Sequence, residues 1–89
     1  MSNAQKHELE RKQARVAFLK TFIAENTPLA VEDLDAGFFM TAAARLKCLA
    51  AYAAETATLL QDITQLELAL ERSRVEQTYL FAGVAPSIT

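Results

Sequence analysis

His7 is the only histidine and Cys48 the only cysteine in the 89 residues. A zinc site needs several N or S ligands at short spacing, and neither residue has a second His or Cys near it in the chain. Cys48 also lacks a neighbouring histidine to take its proton, so within an alanine-rich stretch it reads as a small buried apolar residue rather than a nucleophile. Asp33-x-Asp35-x-Gly37 has the beginnings of a calcium loop, but the glycine falls one place early. The twelfth position is Ala44, where that loop requires a bidentate Glu. The chain contains no Gly-rich phosphate loop, no Gly-x-Ser-x-Gly elbow and no paired-cysteine motif. The expectation is a protein that is not an enzyme and uses no metal or cofactor.

The cations are the remaining chemical candidates. Residues 6 to 20 hold five Lys/Arg against two Glu, and the rest of the chain holds four against nine, for a net charge of −2. Arg11, Lys12 and Arg15 lie close together on a helix and could contact nucleic-acid phosphates. A nucleic-acid-associated regulator is therefore the alternative reading. Against it, Glu8 can pair with Lys12 at i,i+4, and the other cations can meet Asp62, Glu67, Glu71 or Glu76 of a packed helix. The acidic balance also gives no overall attraction to nucleic acid. A third reading, a small all-helical enzyme, would have Arg11, Arg15, Arg45 and Lys47 clamp a dicarboxylate. Positions 45 and 47 lie about 200° apart round a helix, however, and cannot face one ligand together.

Breakers define the elements that would position these side chains. Ala4 to Asn26 contains no Gly or Pro, and Leu9, Val16, Leu19 and Ile23 recur at helical spacing. This predicts a first helix over about 4–25. Asn26-Thr27-Pro28 reads as its stop, because Pro disfavours helix in the residue before it and Asn tolerates the left-handed cap. A loop over 26–34 follows, with Asp33 or Asp35 as the cap of the next helix. The expectation is that residues 35–82 form the second helical region and complete one domain spanning 1–82, followed by a flexible tail over 83–89.

From Phe38 to Ala82 the chain has no Gly, Pro or Asn. Phe39, Ala42, Leu46, Leu49, Ala53, Thr56, Leu60 and Ile63 follow the alternating threes and fours of a coiled-coil seam, which slips after Ile63 toward Leu66 and Leu70. Thr58 with Gln61 makes a capping-box pattern, so a break near 55–58 would give a three-helix bundle. Thr-Ala-Thr lacks the residues of a tight reversal, which favours one long C-terminal helix. The predicted fold class is thus all-α, a helical hairpin with coiled-coil-like packing.

A first helix of some 22 residues cannot cover an apolar face twice its length. The expectation is therefore a homo-oligomer, a dimer, acting as a protein–protein interaction module: an adaptor, small chaperone or inhibitor of a partner protein. Phe39, Leu46, Leu49, Leu60, Ile63, Tyr79, Leu80 and Phe81 are its candidate interface. A single cysteine and the absence of a long apolar run point to a cytoplasmic protein with no membrane partner.

Overall fold

The computed structural model describes residues 3–82, with side chains described through residue 76. Two helices pack against each other: α1 spans Asn3–Asp35 and α2 spans Phe39–Ala82. The fold is an all-α helical hairpin, and the described residues contain no strand. The 44 residues of α2 would measure about 66 Å at 1.5 Å per residue, close to the 70 Å long dimension. The radius of gyration is 21.0 Å, where a compact domain of this length would have about 12 Å.

Positions 26–34 are not a loop; α1 continues through Pro28. Proline removes one backbone donor and crowds the carbonyl four residues earlier, and the two side chains before it bond back within the helix, to the carbonyls one turn earlier. Asn26 Nδ2 donates to the Phe22 carbonyl at 2.8 Å, and Thr27 Oγ1 donates to the Ile23 carbonyl at 2.7 Å. Downstream, Ala30 is fully buried against α2, so the packing of 26–35 outweighs the local preference for a stop.

The helix ends at Gly37, whose φ of +85° is left-handed. The Gly37 N–H donates to the Leu34 carbonyl at 3.1 Å and the Phe38 N–H to the Asp33 carbonyl at 2.8 Å. This pair of bonds is the Schellman arrangement that satisfies carbonyls at a helix C-terminus. Asp33 and Asp35 belong to the last turn of α1 and do not cap α2. Its first carbonyl bond comes from the Ala42 N–H to Phe38 at 2.9 Å.

No break occurs at 55–58. The Thr56 hydroxyl donates to the Tyr52 carbonyl at 2.8 Å, which satisfies it within the helix instead of at a cap. Facing residues of the two helices lie at similar sequence distances on either side of Gly37, as in Phe22 with Tyr52 and Lys12 with Asp62. The core is correspondingly narrow: Val16, Leu19, Ala30, Ala42, Leu49 and Ile63. Ala30 and Ala42 are both completely buried near the turn, where a three-residue connection leaves room only for small side chains.

Candidate protein interface

The stripe of α2 that faces α1 runs Ala42, Arg45, Leu49, Tyr52, Thr56, Leu59, Ile63, Leu66 and Leu70. Each of these is buried or half-buried. Their spacing alternates three and four without interruption, so the seam does not slip after Ile63. Only half of the predicted seam belongs to it. Ala42, Leu49, Thr56 and Ile63 turn inward, whereas Phe39 (66% exposed), Leu46 (44%) and Leu60 (48%) remain in solvent, with Ala53 exposed beside them. The inner row is completed by Arg45 and Tyr52, whose polar ends conceal them from a search for apolar periodicity.

The inward position of Leu49 and Ile63 corrects their assignment as interface residues: α1 already covers both. Tyr79, Leu80 and Phe81, like the tail 83–89, lie outside the described side chains. The exposed row is longer than Phe39, Leu46 and Leu60. Ala43, Ala50, Ala53, Ala57, Thr64 and Leu68 continue it, all exposed. Each position from 43 to 64 in this outer row follows an inner position by one residue, which rotates the row about 100° from the stripe that meets α1.

A second apolar surface surrounds the turn. Leu29, Val31, Leu34, Phe38, Phe39, Met40 and Leu46 are seven of the eleven large apolar side chains exposed among the described residues. Concentration at the closed end of the hairpin distinguishes them from scattered surface hydrophobes, which carry no meaning singly.

The basic candidates are largely committed within the chain. Lys12 Nζ lies 3.1 Å from Asp62 Oδ2. Arg15 grips Glu55 with both arms of its guanidinium, Nε to Oε2 at 2.8 Å and Nη2 to Oε1 at 3.1 Å. Arg15 also lies over two aromatic faces, 5.4 Å from the Phe18 centroid and 6.0 Å from that of Tyr52, while Phe22 meets Tyr52 edge-on at 5.0 Å. The forked hydrogen bond to Glu55 raises the Arg15 pKa, and the same bond from Arg15 holds the Glu55 carboxyl below its ordinary value. Arg11 is exposed. Of the three proposed phosphate contacts, two therefore have a carboxylate partner already.

Arg45 is similarly placed, with Nε 3.1 Å from Asp33 Oδ2 and Nη1 3.3 Å from Asn26 Oδ1. It ties the last turns of α1 to α2 across the connection. Lys47 is exposed on another side of the helix, so Arg45 and Lys47 do not converge. An open groove of about 340 Å³ beside Arg45 is lined by Phe22, Asn26, Thr41, Ala44, Arg45, Cys48 and Leu49. Cys48 is an exposed free thiol there, not the buried apolar residue expected from its alanine-rich surroundings.

No group of three His, Cys, Asp or Glu side chains able to hold a metal occurs among the described residues. No described helix is long and apolar enough to cross a membrane. Comparison with protein-family models, curated proteins and solved structures finds no match.

Proposed function

We propose that this chain is a non-enzymatic, cytoplasmic protein-interaction module that self-associates and serves as an adaptor, small chaperone or inhibitor of another protein. The observation that carries the reading is the outer row of α2. It repeats with coiled-coil spacing from Phe39 to Thr64 and presents Phe39, Leu46 and Leu60 to solvent, with Leu68 exposed one position past that register. A heptad row of large apolar residues is stabilising only when a second helix covers it. The hairpin has no helix left to do so, because α1 is fully engaged by the inner row. The thinness of the core supports the same reading, since among the described residues Leu19 is the only large side chain that is completely buried.

The nucleic-acid reading loses its main support in the pairing of Lys12 with Asp62 and Arg15 with Glu55. A free thiol at Cys48 suits a reducing compartment.

Sedimentation across a dilution series tests the proposal. The expected result is a dimer or larger species for the natural sequence, and a monomer of unchanged helicity for Leu46→Glu combined with Leu60→Glu. A natural sequence that remains monomeric at high micromolar concentration would sink it.

A further inference from the structure

The outer row carries more than a generic apolar surface. Read along α2 it is Phe39, Ala43, Leu46, Ala50, Ala53, Ala57, Leu60, Thr64 and Leu68. In size this is large, small, large, three small, large, small, large. The pattern reads nearly the same in both directions about Ala53 and the step that follows it: Leu46 mirrors Leu60 about Ala53, while Ala50 mirrors Ala57, Ala43 mirrors Thr64 and Phe39 mirrors Leu68 about the Ala53–Ala54 step. A two-fold interface uses the same patch on both subunits, so it requires a surface complementary to its own reversed copy. Three central alanines let two helix axes approach closely, with leucines flanking the crossing on both sides.

Charge changes sign at the same point. Residues 39–54 contain Arg45 and Lys47 and no acid. Residues 55–76 contain Glu55, Asp62, Glu67, Glu71 and Glu76 against Arg72 and Arg74. Arg45, Glu55 and Asp62 are already paired with α1, and Glu71 with Arg74, which leaves Lys47 in the first half and Glu67 and Glu76 against Arg72 in the second. An antiparallel copy sets Lys47 of one α2 toward the acidic half of the other; a parallel copy sets like beside like. The available area is sufficient. The chain exposes 6569 Å², where a compact monomer of this mass would expose about 5,200 Å², and a standard interface takes about 800 Å² from each partner.

From these three features we infer that a second copy of this chain docks on the outer row antiparallel, with its two-fold axis at Ala53–Ala54. This rests on the self-association proposed above and adds the face, direction and register. The inner and outer rows lie about 100° apart, close to the angle that two neighbours subtend at a helix of a four-helix bundle, and such a bundle is the assembly this pairing builds. The turns fall at opposite ends, about 50 Å apart by the helical rise, leaving both apolar tips around Phe38 and Met40 open to a further partner.

Cysteine cross-linking in a Cys48→Ala background is the test, with sedimentation and circular dichroism on the same samples. Ala43 and Thr64 are exposed and face each other only across an antiparallel pair. Ala43→Cys with Thr64→Cys in one chain should give a covalent dimer on mild oxidation, and each single variant should not. Covalent dimers from the single variants would show a parallel pair and overturn the inference. A dimer by sedimentation with no cross-link in the double variant would overturn the register while leaving self-association standing. A monomer throughout would overturn both.

Discussion

Leu46 and Leu49 stand three positions apart on α2 yet have opposite surroundings: α1 leaves Leu49 only 7% exposed, whereas Leu46 is 44% exposed. The two should separate folding from association. Leu49→Ala removes packed atoms from a narrow core and is expected to cost about 3 kcal/mol, visible as a lower thermal midpoint and loss of helicity on mild heating. Leu46→Glu is expected to keep the hairpin helical at low temperature and to release the self-association seen by sedimentation. Equal loss of helicity in both variants would mean that the outer row is part of the hairpin's own core.

The difference between these two leucines also marks how far the sequence could be read. Helix-forming composition and the absence of breakers sufficed for α2, and the hydrophobic spacing located Val16, Leu19 and Ile23 on the buried face of α1. Only half of the α2 seam is legible because apolar periodicity cannot register Arg45, whose guanidinium reaches Asp33 and Asn26, or Tyr52, whose ring meets Arg15 and Phe22. Asn26-Thr27-Pro28 misleads for a related reason. Its local chemistry is that of a stop, and what overrides it is distant in sequence: the buried packing of Ala30 and the Arg45 link to Asp33. Gly37, which caps α1 just past Asp35, carries a C-cap signal that its spacing from Asp33 and Asp35 makes ambiguous with the start of a calcium loop.

The Arg15–Glu55 pair predicts an acid-sensitive contribution. The Glu55 carboxyl titrates below its ordinary 4.5 because Arg15 hydrogen-bonds to its charged form. A depressed folded-state pKa adds stability that is fully present above pH 4.5 and is lost as pH falls through the folded value. The thermal midpoint of the natural sequence should therefore drop below about pH 4.5. Glu55→Gln should show a shallower drop over the same window. Because both side chains are about two-fifths exposed, the difference between the two proteins should shrink in high salt. Parallel pH profiles would remove the pair from any part in stability.

Gly37 isolates a backbone effect. A Cβ built at this position meets nothing within 4 Å, so Gly37→Ala encounters no clash and suffers only the left-handed φ of +85°. The expected loss is about 1 kcal/mol, or about 5 °C in a domain of this size. Gly37→Asn should lose less, because asparagine enters that region more readily. If alanine were tolerated at no cost in the thermal midpoint, the Schellman connection would not be the conformation populated in solution.

Pro28 gives the sharpest contrast between the local sequence signal and the fold. In a loop, replacing proline frees the unfolded chain and slightly destabilises the protein. In a helix interior it restores a backbone donor and removes a steric clash, and proline is worth about 3 kcal/mol less than alanine there. Pro28 is exposed and lies seven residues before the end of α1, so Pro28→Ala has little packing to lose. It should raise stability by about 1–3 kcal/mol, measured as a higher denaturation midpoint with an unchanged slope. The amide of residue 28 should become protected from hydrogen exchange, bonded to the Ala24 carbonyl that proline leaves without this partner. A lower midpoint, with that amide exchanging freely, would show that 26–34 is a loop in solution and that α1 ends near Asn26 after all.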